Sequence, residues 1–285
     1  MCDNFRVVVD NKATLAYIQI QKEDLSIFRL VPKDGPVPEY KAGQFITIGL
    51  HVPSENKIVR RAYSIGSHPE NRKYIELYIR WVRKPIPGRL TTQLFSAKEG
   101  DEIYWLKPTG AFTLDEKNHE GVEDDRRIVC MGGGTGLAPF VSYAQHLHDT
   151  GSKREIVVLH GASYVDELGY QEHLTNLEYE SLDRGQDKWN FRYRATISRP
   201  EEWFNRSWAG QIGRVETFLR AKEGEMSPLE KLVGERITKE NTVFFICGWQ
   251  GTIDGCMDYL TPRGLVTERN KRPDKSFEIK YESYG

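Results

Sequence analysis

The apolar residues of this chain keep two different rhythms, and the change from one to the other divides its 285 residues into two folding units. At 14–20, 25–31, 45–50, 58–65, 74–82 and 102–106 they form short β-branched or aromatic runs separated by turn-formers such as Pro32-Lys33-Asp34-Gly35-Pro36. Six strands so spaced predict a small antiparallel barrel or sandwich. Residues 90–95 instead have helical spacing, which suits a helix capping one barrel end. The stretch 115–127 is almost wholly polar and reads as an exposed connection, so the boundary is placed near residue 122, giving units 1–122 and 123–285. Beyond it, strands at 127–131, 155–160, 190–197 and 242–246 alternate with helices at 137–149, 166–179, 214–221, 229–233 and 252–260. That alternation predicts a doubly wound parallel sheet, which binds ligands at the carboxyl ends of its strands.

Composition removes several function classes. A net charge of −1 gives no electrostatic case for nucleic acid. The first ten residues mix Cys2, Asp3, Asn4 and Arg6 with apolar ones, unlike a signal peptide, and no run reaches membrane-spanning length, so a cytoplasmic location is expected. None of Cys2, Cys130, Cys247 and Cys256 forms a C-x-x-C pair, so no zinc ribbon or iron–sulfur run is expected inside the chain. His146 and His148, two apart on a helix, make a poor metal pair.

The clearest site signal is Gly132-Gly133-Gly134-Thr135-Gly136-Leu137-Ala138-Pro139, directly after the first strand of the second unit and opening its first helix. Glycines let backbone N–H groups approach a phosphate, and the helix N-terminus favours negative charge there. The second strand ends at His160-Gly161-Ala162-Ser163, where a dinucleotide fold reads the ribose 2′ position. Ser163 supplies no charge, while Arg199 and Arg214 at two further loop ends offer cations for a 2′-phosphate or are simply solvated. Cys247-Gly248 ends the last expected strand on the ligand side of the sheet, as a ligand-facing or a core cysteine; Cys130 and Cys256 are assigned to packing.

In the first unit, Arg61 and Tyr63 of Arg60-Arg61-Ala62-Tyr63-Ser64 share one strand face, so either a guanidinium holds a phosphate while a phenol stacks on a planar ligand, or the run is simply an amphipathic strand. Gly88-Arg89-Leu90-Thr91-Thr92 offers a second glycine-to-helix start, in which a threonine either meets the same phosphate or caps the helix.

These stretches, with Pro108-Thr109-Gly110-Ala111-Phe112 between them, resemble in order the motifs of the ferredoxin–NADP(+) reductase family; 160–170 and the tail are most similar to its bacterial branch. The resemblance runs from about residue 14 to the C-terminus. It implies a Greek-key FAD-binding barrel followed by an NADP-binding domain. Carried over, Arg61 and Thr91 would hold the FAD pyrophosphate, Tyr63 would stack on the flavin ring with Ser64 near its N5, and Ala62, Arg89 and Leu90 belong to the same motifs. Tyr78, Ile79 and Arg80 would line the ring. Gly134, Thr135 and Gly136 would meet the nucleotide, Thr135 touching both cofactors, and Cys247 beside Gly248 would position nicotinamide. Tyr281, with Tyr284 as second candidate, would cover the other flavin face and move aside for catalysis. Ser163 departs from the arginine common in bacterial relatives.

The implied activity is hydride transfer between NADP(H) and FAD, with single electrons passed to a separate ferredoxin or flavodoxin. Arg80, Arg83, Lys84 and Arg89 form a local basic stretch that would steer an acidic carrier or be a solvated face. The alternatives are the reductase component of an oxygenase and a non-catalytic redox sensor.

Overall fold

The computed structural model describes residues 11–284; Cys2 lies outside them. Strands β1 (Asn11–Lys22), β2 (Leu25–Pro32), β3 (Phe45–Val52), β4 (Lys57–Ser64), β5 (Ile75–Arg80) and β6 (Glu102–Trp105) pair antiparallel in the order β4-β3-β6-β1-β2-β5. The chain leaving β4 closes the barrel onto β5: Ile65 bridges Leu77, and the Gly66 N–H donates to the Glu76 carbonyl at 2.8 Å. Closure pairs backbone groups that an open edge would expose. Alternate residues such as Leu15, Phe28, Ile46, Ile48 and Leu77 point inward and are fully buried. Helix α1 (Arg89–Ser96) drives Leu90 and Leu94, one turn apart, into that same core, as its spacing predicts.

The second unit contains β7 (Arg127–Gly133), α2 (Ala138–Asp149), β8 (Ile156–Ala162), α3 (Gln171–Arg184), β9 (Phe191–Ile197), β10 (Gln211–Ile212), α4 (Pro228–Val233), β11 (Thr242–Gly248), α5 (Gln250–Leu260) and β12 (Ile279–Ser283). The strands form a parallel sheet in the order β10-β9-β8-β7-β11-β12. Both sheet faces are covered, so β8 and β11 are buried at every position and read as continuous apolar runs. Cys130, Phe245 and Cys247 belong to the core facing the barrel, while Val129, Ile246 and Cys256 belong to the core under α5.

Two helices differ from their expected form. The helix expected at 166–179 begins only at Gln171, after a 3-10 turn at Val165–Glu167. Here the backbone passes tightly over the barrel: a Cβ on Gly169 would stand 2.8 Å from the Tyr78 hydroxyl. The segment 214–221 forms a 3-10 turn, Val215–Leu219. The edge strands β10 and β12 carry no clear apolar period, being short or broken by Lys280 and Glu282.

The two units share a core in which Leu25, Ile27, Tyr78 and Phe112 of the barrel side pack with Phe140 and Tyr143 of α2. Across the seam, Tyr170 donates to Glu76 Oε1 (2.8 Å), Ser142 to the Ser67 carbonyl (2.7 Å) and Tyr143 to the Phe112 carbonyl (2.6 Å). The polar connection is tied down as well. Asp124 pairs with Arg126 and Arg154 at 2.8 and 3.3 Å, and Asp115 with the buried Lys280 at 2.7 Å. The cleft between the units therefore has walls set against each other by packing and directional bonds.

Candidate active site

Strand order reverses between β7 and β11, because β8 to β10 lie on one side of β7 and β11 on the other. At such a reversal the loops leaving the carboxyl ends part and leave a crevice. A cavity of about 520 Å³ opens there against the barrel. Its barrel wall is Arg61, Ala62, Tyr63 and Ser64 of β4, Tyr78, Ile79 and Arg80 of β5, and Arg89, Leu90 and Thr91 of α1; its other wall includes Gly134, Thr135 and Tyr284. The structure thus gathers thirteen of the residues singled out from sequence into one site. It adds Phe45, Val82, Gly88, Ala138, Trp249, Glu282 and Ser283.

On the barrel wall, burial pushes the Tyr63 phenol up, so it stays neutral. Gly88 caps α1 without a side-chain bond, and Thr91 donates back to the Gly88 carbonyl at 3.2 Å, so neither threonine serves as the cap. Arg61 donates to the Arg60 carbonyl at 2.7 Å and meets no carboxylate among the described residues. Arg89 is held by Glu55 (2.8 Å), Arg80 by Asp24 and Glu167 (3.0 Å each) and Arg83 by Glu23 (2.9 Å). The basic stretch expected to steer an acidic carrier is thus largely offset by its own acids, which lie outside the window in sequence.

On the facing wall, Gly134 adopts φ +57°, a left-handed conformation suited to glycine. Beneath it lies the fully buried His160, whose Nε2 donates to the Gly134 carbonyl (3.2 Å) while Tyr193 donates to Nδ1 (3.5 Å). Burial pushes this imidazole down to about 4, so it is neutral at pH 7. Gly136 permits the closest approach in the site, since a Cβ there would stand 2.2 Å from the Cys247 carbonyl oxygen and 2.7 Å from the Tyr284 hydroxyl. Cys247, next to Gly248, is fully buried and does not line the cavity. Burial, and Glu282 after it, push its thiol well up, so it carries no thiolate.

The tail places Tyr281, the first candidate to cover the flavin, away from the cavity. Because β12 pairs in parallel with β11, its side chains alternate between faces, and Ile279 and Tyr281 turn toward the core under α5, where Arg269 lies 4.5 Å over the Tyr281 ring. Glu282 and Tyr284 line the cavity instead. Tyr284 donates to the Gly133 carbonyl (3.4 Å), accepts from Thr135 (3.5 Å) and meets Trp249 edge-on at 6.5 Å. The Ser64 hydroxyl donates to Glu282 Oε2 at 3.2 Å. Burial raises the Glu282 carboxyl, and the Ser64 bond only partly opposes this. The buried Ser283 hydroxyl has no partner among the described residues.

Ser163, Arg199, Arg214, Gly136, Cys247, Gly248 and Tyr281 lie outside the cavity lining. The first three follow neighbouring strand ends, those of β8, β9 and β10, while the Arg214 guanidinium lies beside Gly251. The Ser198 N–H donates to the Ala162 carbonyl (2.9 Å) and the Gly213 N–H to the Ile197 carbonyl (2.8 Å). Arg199 and Arg214 are exposed, and Arg199 donates to the Tyr164 hydroxyl at 2.7 Å.

Comparison with known proteins agrees with this architecture. Residues 12–114 match the oxidoreductase FAD-binding domain and 130–257 the oxidoreductase NAD-binding domain. A ferredoxin–NADP reductase of Azotobacter vinelandii is 30% identical over 247 residues, covering 84% of this chain and 85% of its own. The chain belongs to the ferredoxin–NADP reductase family. As a member, it is an FAD- and NAD-binding oxidoreductase of two domains. The same family resemblance extends to the reductase component of propane 2-monooxygenase from Mycolicibacterium goodii, 26% identical over 92% of this chain, of whose length this chain spans 66%. A ferredoxin NADP+ reductase of Neisseria gonorrhoeae, solved with bound FAD and NADP, shares the fold at a TM-score of 0.74 and 20% identity, covering 96% of this chain and 98% of its own. Among the described residues, no helix is long and apolar enough to cross a membrane.

Proposed function

We propose that this protein transfers hydride from NADPH to FAD and delivers single electrons to a separate ferredoxin or flavodoxin. The observation that carries this reading is the cavity at the domain seam, where tyrosines from both walls flank a hydrogen-bonded Ser64–Glu282 pair. The donor set fits a flavin dinucleotide: among the described residues Arg61 is a cation that meets no carboxylate, Tyr63 a neutral aromatic face, and Ser283 a buried hydroxyl lacking a partner. FAD, when bound, supplies the exchange between a two-electron donor and a one-electron acceptor.

In this reading Arg61 and Thr91 hold the pyrophosphate, Tyr63 stacks on the ring, and Tyr78, Ile79 and Arg80 support its edge. Gly134, Thr135 and Gly136 let the nicotinamide nucleotide approach the sheet end. Tyr284 covers the place nicotinamide must take, and its two long hydroxyl contacts, 3.4 and 3.5 Å, are weak enough to release. Cys247 shapes the floor that receives nicotinamide once Tyr284 leaves, a positioning role. The Ser64 hydroxyl, donating to Glu282, would place a proton beside the ring. Ser163, Arg199 and Arg214 would take the 2′-phosphate, and the carrier would dock at the mouth of the cavity.

The match to a monooxygenase reductase component favours a second reading, in which the same chemistry serves one dedicated oxygenase partner. The test is steady-state NADPH oxidation with ferricyanide, then with ferredoxin, flavodoxin and an oxygenase component. Turnover with ferricyanide and with ferredoxin or flavodoxin is the expected result. Turnover with ferricyanide but neither carrier selects the second reading, and no turnover with any acceptor leaves a binding protein and defeats the proposal.

A further inference from the structure

A cation from the barrel reaches the edge of the other domain where Ser163 lies. Lys22, the last residue of β1, places Nζ 3.1 Å from Asp166 Oδ1, 3.5 Å from Glu167 Oε1 and 4.1 Å from the centroid of the Tyr164 ring. Arg199 lies 5.3 Å from the centroid of that same ring. Glu167 in turn accepts the Ser163 N–H at 3.1 Å. Two carboxylates therefore stand at the strand end, one bonded to its backbone, while Ser163 contributes no charge. A phosphate arriving there meets repulsion that Arg199 and Arg214 must overcome, unless the acids are covered.

We propose that Lys22 is a specificity-determining residue for NADP(H), contributed by the FAD domain. It offsets Asp166 and Glu167 and sets its own ammonium beside Tyr164, so that the Ser163 corner accepts a 2′-phosphate. Arg80 bonds the same Glu167 Oε1 at 3.0 Å and Asp24 at 3.0 Å, so among the described residues it is Lys22 that brings a barrel cation to Asp166 and the Tyr164 ring. Discrimination between the two nucleotides then depends on the docking of the two domains as well as on the nucleotide-binding domain itself. The inference rests on the reading that the adenosine end of the nucleotide docks at Ser163, Arg199 and Arg214.

The test is calorimetric titration of the FAD-loaded protein with 2′,5′-ADP and, separately, with ADP. Wild type is expected to bind 2′,5′-ADP more tightly. Lys22→Met should weaken 2′,5′-ADP by about tenfold and leave ADP within about twofold, with Lys22→Arg close to wild type. Asp166→Asn should tighten 2′,5′-ADP severalfold. An ion pair that merely holds the domains together predicts the opposite for Asp166→Asn, so weakening there overturns the proposal, as does an equal loss of both ligands in Lys22→Met. Wild-type discrimination that survives intact in Lys22→Met removes the role of Lys22 alone. A wild type that does not prefer 2′,5′-ADP removes the NADP reading and this proposal with it, while leaving the flavin chemistry to be judged by turnover.

Discussion

The two walls of the cavity are built differently. On the barrel wall, Arg61, Tyr63 and Ser64 come from β4, a strand of the closed sheet, and Thr91 from α1, the helix packed into the same buried core. On the other wall, Tyr284 stands just past an edge strand, held by two long hydroxyl contacts. The first wall is suited to keeping a cofactor and the second to letting a substrate in. One pair joins them, Ser64 to Glu282, across 218 residues of sequence.

Breaking that pair should have the largest effect. Ser64→Ala should slow flavin reduction by NADPH on the order of 10²–10³-fold in stopped-flow spectroscopy, with FAD still bound. A rate within a factor of about three of wild type would show that the walls act independently.

Stability should reveal the cost of supporting the glycine loop from beneath. His160 is pushed down to about 4 from an ordinary 6.5, so the unfolded chain takes up its proton first as pH falls. The stabilisation is present above pH 6.5 and lost between pH 6.5 and 4, amounting to about 3 kcal/mol for so large a shift. His68 and His173 shift in the same direction through burial and add to the slope. Denaturant unfolding should show a flatter pH dependence in His160→Gln, and an unchanged slope would contradict the assignment.

On the barrel wall, Arg61→Ala should weaken FAD by about 1.5–3 kcal/mol in equilibrium dialysis, the worth of a charge-assisted bond. Arg89→Ala should cost less, since Glu55 already engages that guanidinium. The smallest effect belongs to the tail: Tyr284→Ser should tighten NADP+ by about tenfold in difference titrations, while Tyr281→Ser, on the far face of β12, should change it by less than about twofold.

What the sequence showed followed the same division. The barrel wall was legible because each of its motifs is contiguous, so that β4 alternation and a glycine-to-helix turn name the residues directly. The glycine run and the strand ends before Ser163 and Arg199 were legible for a related reason, the regular geometry of a parallel sheet, whereas the two-residue strand before Arg214 gave no apolar period. The tail was not, because whether Tyr281 or Tyr284 faces the cavity depends on the register and side of β12, a strand broken by Lys280 and Glu282. Glu282 and Lys22 gave no local signal, since each acquires its meaning from partners in the other domain. The ion pairs of the basic stretch were not legible either, because Glu23, Asp24, Glu55 and Glu167 lie outside it.

The most direct test of the central claim is the visible spectrum of the purified protein, reconstituted with FAD where needed, before and after anaerobic NADPH, with NADH in parallel. The account predicts a flavin spectrum that NADPH bleaches at far lower concentration than NADH. A colourless protein that cannot be reconstituted with FAD, or a flavin that neither nucleotide bleaches, would contradict it.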